Sequence, residues 1–422
     1  MLRVAARKVL AMRIPRPTAC AALYAVSLLA LLESHLGHGW GFVDLAVYRK
    51  GAEATLHGAH LYALRFPGAL AFTYPPIAAL LFTTLTVPSI AVAELAVTAA
   101  SVVLVPAMLY FALRLEPAAC RLPPQRALRL ALLASAGAIW LEPVWTTLRY
   151  GQIDVLIATL VLYDLSRPDA SRWKGAGIGL ATALKLTPAI FALYLLLTRR
   201  TRAACVSLAV FGATVAVGFA LLPGDSREYW GGAFIDSHRV GRIENAANQT
   251  LRGAYARVLH SLSVQGVWLG TAAVVAVAGM ALAVAAGRSA GGAGHSAGGR
   301  PRDEAWGFSL CALTGLLVSP ISWSHHWTLA VSALLLLALS AWRRRSRVGL
   351  AAAAAVVFVA CSHMIWWVPV NRPAHSELHL DPLQLVYSDV YVLIGLCALA
   401  LAGGVALRER RAHLQASPHR EL

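Results

Sequence analysis

The sequence predicts an all-α, polytopic membrane protein with about 12 transmembrane helices and large outer loops. Three observations predict it. Of 422 residues, 58% are hydrophobic and only 14% charged, where a soluble domain runs near ~45–50% and ~25%. Mean hydropathy is +0.62. Apolar runs of about 15–25 residues recur along the chain, and its basic residues sit mostly between them. Together these exclude a soluble enzyme, a disordered chain and a fibrous repeat. The net charge of +17 therefore reads as loops held on one side of a bilayer, not as nucleic-acid binding. The six cysteines show no Cys-x-x-Cys spacing and read as small hydrophobes.

The elements follow in order. A basic amino terminus precedes the apolar run from Ala19 to Leu32, predicting an uncleaved first span over 18–37 with its start on the inner side. Tyr74-Pro75-Pro76 leads into a span over 74–88, because Pro is favourable in a first helical turn. Pro88 divides it from 90–113. Further spans are expected at 127–147, 152–166, 175–197, 203–222, 264–287, 305–321, 326–342, 347–368 and 386–407.

Arginine clusters fix the orientation. Arg199, Arg200 and Arg202, then Arg288, Arg300 and Arg302, then Arg343 to Arg347, and finally Arg408, Arg410 and Arg411 all fall on the inner side of this count. One group disagrees: Arg114, Arg121, Arg126 and Arg129 are placed outside. Long outer loops then cover 38–73, 223–263 and 369–385. The expected division is a catalytic module over 1–287, a Gly/Ser-rich inner linker over 288–302, a helical module over 303–407 and a basic tail over 408–422. No internal repeat of the transporter kind is visible.

Polar residues cluster at few places. Asp44 lies just past the first span among apolar neighbours. A carboxylate there is partly desolvated, becomes a better base and can take a hydroxyl proton; it can equally cap the next helix. Lys185 is the lysine set inside an apolar span, an expensive position that calls for an anionic ligand or a pair with Asp154 or Asp164. Arg149-Tyr150-Gly151-Gln152-Ile153-Asp154 is either a tight turn or the lining of a polar cavity. The second outer loop carries Asn248, Gln249 and Arg252; carboxamides suit sugar hydroxyls because each both donates and accepts. Ser322-Trp323-Ser324-His325-His326-Trp327 brings a His pair and aromatics to an outer helix end. Adjacent helical histidines point about 100° apart, which argues against a shared metal, but one can meet a phosphate or move a proton.

These segments, in this order, resemble the actinobacterial polyprenyl-phosphate-mannose-dependent α-(1→2)-mannosyltransferases, members of the GT-C class of membrane glycosyltransferases. The matching motifs are Phe42 to Tyr48, Phe72 to Pro76, Gly151 to Asp154, Lys185 to Pro188, Asn248 to Gly253 and Ser322 to Trp327. The resemblance implies a multi-pass plasma-membrane enzyme whose site faces outward, a lipid-linked mannose donor and a mannosylated glycolipid acceptor, either phosphatidylinositol mannoside or lipomannan. It implies inversion from a β-linked mannosyl phosphate, with Asp44 as base and His326, or else His325, as the catalytic histidine. Lys185, Arg49, Tyr74, Asn248, Gln249, Arg252 and Trp323 become expected substrate contacts. Ala46 stands two residues beyond Asp44, so no acid pair bridges a metal and no obligatory metal or cofactor is expected. Leu186 and Thr187 separate Lys185 from Pro188, where the resemblance leads one to expect a lysine followed directly by proline. A transporter of a lipid-linked sugar, or transfer of arabinose or glucose, remains the alternative.

Overall fold

A computed structural model describes residues 14–65, 70–288 and 304–415. The expected linker beyond Arg288, with Arg300 and Arg302, and the end of the basic tail lie outside the described residues. Those residues form helices and no strand; Asn248 and Trp323 make one isolated bridge. In chain order the helices are α1 Pro17–His38, α2 Val43–Leu56, α3 Pro76–Phe82, α4 Ile90–Leu115, α5 Pro124–Ala138, α6 Glu142–Tyr150, α7 Asp154–Ser166, α8 Ala176–Leu184 and α9 Ala189–Leu197. They continue as α10 Thr201–Leu221, α11 Pro223–Glu228, α12 Leu251–Val258, α13 Gln265–Arg288, α14 Glu304–Val318, α15 Thr328–Arg344, α16 Arg347–Cys361, α17 Pro382–Ser388 and α18 Val390–Gln415.

Among the described residues, 7 helices are long and apolar enough to cross a membrane: α1, α4, α10, α13 and α18, with α15 and α16 counted together with their short flanking turns. The pair α5 and α6, bent by 80°, passes the same test when taken together, which brings the number to 8 if the pair is one broken span. The protein is a multi-pass membrane protein. The expected dozen spans exceed this number because several apolar runs fold as shorter helices.

Two of those runs do not cross at all. The 74–88 run is α3 followed by a 3-10 turn over Thr83–Leu85. Arg49, on α2 in the segment that follows α1, donates to the carbonyls of Leu85 and Pro88. The far end of the run therefore stays with that segment, on the face termed outer here. The 175–197 run is a hairpin. Helix α8 rises beside α7, from Gly177 against Leu160 and Asp164 to Lys185 at Asp154. Helix α9 descends beside α14, with Phe191 stacked on Phe308 at 5.7 Å and Tyr194 hydrogen-bonded to Glu304. The break is encoded locally. Pro188 lacks an N–H and disfavours helix in the residue before it, and Lys185 is extended at φ −156, ψ 130. At the hairpin's foot, Gly175 has φ 105, and a Cβ there would lie 1.9 Å from the Ala203 carbonyl oxygen. Only glycine fits so close an approach.

These corrections remove the charge anomaly. With 74–88 no longer crossing, the segment around Arg114 and Arg121 moves to the inner face, where Glu116 pairs with Arg343. Arg129 donates to Pro15 at the amino-terminal end of α1. The hairpin then restores the original count for everything later. The inner face is tied by two ion pairs: Arg200 grips Glu304 at 2.5 Å in an enclosed contact, and the buried Lys174 reaches the exposed Asp169 at 2.9 Å.

On the outer face, residues 236–258 and 362–389 fold over the helix ends. Arg257, fully buried, pairs with Asp389 at 2.5 Å. It also donates to the carbonyls of Glu244, Asn245 and Asn248.

Candidate active site

Asp44 stands in the first turn of α2, where the helix dipole favours a carboxylate. The chain enters this helix through Phe42, at φ 42 in the left-handed region, with its N–H donated to the Arg149 carbonyl at 3.1 Å. Gly151 ends α6 at φ 67, and a Cβ there would meet Leu45 at 2.9 Å. Glycine at this point lets the α6–α7 turn press against the start of α2. That approach brings Gln152 and Asp154 beside Asp44.

A closed hydrogen-bonded triad lies next to it. Tyr48 donates to Gln152 Oε1 at 2.6 Å, Gln152 donates to the Tyr74 hydroxyl at 3.1 Å, and the two tyrosine hydroxyls are 3.1 Å apart. Tyr62 fixes Tyr74 from behind by donating to its carbonyl at 2.7 Å. Burial raises the Asp44 carboxyl from 3.8 to about 7. Lys185 pulls it down, Asp154 pushes it up, and Gln152 pulls it down by hydrogen bonding. The same burial pushes the Tyr48 hydroxyl well above its usual range, so it stays neutral.

Lys185, at the tip of the α8–α9 hairpin, pairs with Asp154 Oδ1 at 2.8 Å. This is the protein pair the sequence offered as the alternative to an anionic ligand. The other Asp154 oxygen faces His325 Nε2 at 3.8 Å. The His pair lies in a 3-10 turn over Ser324–Trp327, with ring centroids 4.8 Å apart. In this tighter turn both rings reach the same place, contrary to the helical expectation. Asp154, His325 and His326 offer ligand atoms within 4.8 Å of one another, enough to hold a metal ion, although Lys185 already supplies a positive charge to Asp154. Asp154 Oδ2, His325 Nε2 and His326 Nδ1 are buried without hydrogen-bond partners. Atoms left in that state carry a desolvation cost of about 1–3 kcal/mol each and suit a polar ligand. A 30 Å³ cavity borders Asp154 and His326, closed by Thr187, Ile190, Gly315 and Leu316.

The structure thus gathers Asp44, Tyr74, Lys185, His325 and His326, and adds Gln152, Asp154 and Tyr48. It places the remaining candidates elsewhere. Arg49 caps the 3-10 turn after α3. Arg252 lies over the Trp268 ring at 5.0 Å and donates to Ser237. Asn248 and Gln249 are fully buried, and protein groups use their capacity. Asn248 donates to the Ile243 carbonyl and accepts from Ser322 N–H and Thr250. Gln249 donates to the Ala246 and Ser388 carbonyls and accepts from Tyr391 N–H. They tie the outer cap together. Trp323 bridges Asn248, its ring against Gly241. Glu142, a lone acid in the 127–147 run, is a buried hub of this region. Its only sequence signal is that isolation.

Residues 72–320 match the model of glycosyltransferase family 87. A Mycobacterium tuberculosis protein named as a polyprenol-phosphate-mannose-dependent alpha-(1-2)-phosphatidylinositol mannoside mannosyltransferase is 36% identical over 87% of this chain and 86% of its own. Its counterpart of the same name from Mycolicibacterium smegmatis is 34% identical over 86% and 84%. An M. tuberculosis protein named for phosphatidylinositol pentamannoside is 36% identical over 69% and 64%. The crystal structure of ArnT from Cupriavidus metallidurans bound to undecaprenyl phosphate aligns with 92% of this chain and 72% of its own, at TM-score 0.45 and 17% identity. With more than half of its length matched, from the end of the first outer loop to the entry of the histidine turn, this chain belongs to glycosyltransferase family 87.

Proposed function

We propose that the protein transfers mannose from polyprenyl-phosphate mannose to a mannose hydroxyl of a phosphatidylinositol mannoside, forming an α-(1→2) linkage on the outer face of the plasma membrane. The observation that supports this most is the carboxylate of Asp44, which burial brings to about 7, beside a Lys185–Asp154 pair and two histidines with unpartnered nitrogens. A base of that strength is half ionised near neutral pH and retains the affinity to take a proton. The names carried by the relatives supply the donor and acceptor classes, and basic segments gathered on the opposite face support the outward orientation.

The step balances as follows. Asp44 takes the acceptor hydroxyl proton while that oxygen forms a bond to C1 of the mannose. The bond from C1 to the phosphate oxygen breaks, and its electron pair leaves with polyprenyl phosphate. Attack from the face opposite the phosphate inverts the β-linked donor to an α-linked product. Lys185 keeps two further N–H donors beyond its bond to Asp154, and these, with His326, face the charge that develops on the phosphate. Reconstituted protein is tested with polyprenyl-phosphate mannose and a phosphatidylinositol mannoside, read by mass spectrometry. Released polyprenyl phosphate and an acceptor heavier by one hexose are expected. Movement of the donor lipid across the bilayer without bond cleavage would instead mark a transporter. Asp44→Asn should lower turnover by about 10²-fold or more while the protein still folds.

A further inference from the structure

We propose that Glu142 is a positioning residue that sets the His325–His326 turn against Asp154. This rests on the transferase reading for its kinetic consequence, though not for its geometry. Glu142 is fully buried at the start of α6, where the α5–α6 pair bends by 80°. Among the described residues, no basic side chain pairs with it. Its carboxylate is held by four neutral donors instead. Oε1 accepts from Thr146 at 2.7 Å, from Ser324 at 2.7 Å and from the Trp366 indole at 3.1 Å. Oε2 accepts from the Tyr391 hydroxyl at 3.1 Å.

The four donors come from four separate parts of the chain: α6, the histidine turn, the outer segment after α16, and α18. One carboxylate is their common acceptor, and Ser324 is the residue immediately before His325. The same turn is held along its other side. Thr328 donates to the His325 carbonyl at 2.8 Å and to the Pro143 carbonyl at 3.2 Å, and Tyr150 meets the His325 ring edge-on at 5.8 Å. Helix α6 is thus the mould for the turn, and Glu142 is its polar anchor. Removing the acceptor leaves buried donors without partners and frees Ser324 to move. A displacement of the imidazoles by about 1 Å is enough to cost on the order of 10²-fold in a reaction that depends on alignment.

The chemistry separates two substitutions. In Glu142→Gln the amide oxygen takes the three donors at Oε1, and the amide nitrogen donates to the Tyr391 oxygen, whose own hydrogen turns away. In Glu142→Ala no acceptor remains. The full-length protein in lipid vesicles is assayed for turnover, donor KM and melting temperature. In parallel, His325 and His326 are carbethoxylated with diethyl pyrocarbonate and read by mass spectrometry, with His260 on the outer cap as reference. Glu142→Gln is expected within about threefold of native turnover. Glu142→Ala should lose at least about tenfold in turnover with donor KM changed by less than about threefold, and His325 and His326 should label faster while His260 does not. Ser324→Ala removes only the link to the turn and should reproduce most of that loss; it also carries the test if Glu142→Ala does not fold. Combining Ser324→Ala with Glu142→Ala should cost no more than Glu142→Ala alone. Native turnover in Glu142→Ala, equal damage by Gln and Ala, or unchanged histidine labelling would overturn the proposal. If the native protein shows no transfer, the transferase reading fails, and the labelling still decides whether Glu142 holds the turn.

Discussion

In the proposed mechanism, Asp44 favours chemistry at the expense of stability. Its carboxyl titrates near 7 in the folded protein against an ordinary 3.8. The folded state therefore binds the proton more tightly than the unfolded chain does. The stability this adds is full below the ordinary value and is lost as pH rises through about 7. Asp44→Asn should accordingly melt higher than native protein at pH 8 and alike at pH 4, by about 2–4 °C for each kcal/mol removed. Native turnover should rise with pH through about 7, because the base must be ionised. A flat profile from pH 5.5 to 8.5, or a variant that melts lower at pH 8, would contradict the assignment. Asp44 and Lys185 were legible in the sequence because a carboxylate and an ammonium amid apolar residues are costly and demand a reason. Asn248 and Gln249 were not. A carboxamide's availability depends on its partners, and theirs include Ser322, Ser388 and Tyr391, which lie far away in the chain.

At the level of elements, hydropathy located nearly every apolar run but not the path each one takes. The 74–88 and 175–197 runs are apolar enough to be read as spans, yet one stays on the outer face and the other folds back on itself. Composition is the same for a crossing and a hairpin; Pro188 and the extended Lys185 decide between them. The clue in the sequence was the one arginine group that violated the charge rule. Topology mapping checks the corrected path. In a cysteine-free background, single cysteines at Arg121 and at Arg345 should react with an impermeant maleimide only after the membrane is opened. One at His57, on the loop with Asp44, should react in intact cells. Labelling of position 121 from the outside would restore the hydropathy count.

For the whole molecule, the outer cap joins distant parts of the chain into one unit. Arg257 is central to it: a fully buried guanidinium bonded to Asp389 and to three carbonyls of the second outer loop. Arg257→Ala should cost about 3–5 kcal/mol, because Asp389 is left buried and uncompensated. It should also lower activity although Arg257 is fully enclosed in the cap. A melting temperature equal to that of native protein would refute the role. Folding of α18 onto this cap also brings Tyr391 to Glu142, the carboxylate that Ser324 of the histidine turn meets as well.

The hairpin's arms are 9 residues each. At 1.5 Å per residue they climb only about 13 Å, less than half of a hydrocarbon slab of about 30 Å. Arms that short cannot cross, so the turn at their apex leaves the Lys185 ammonium against Asp154 at the start of α7, enclosed by protein instead of standing in water.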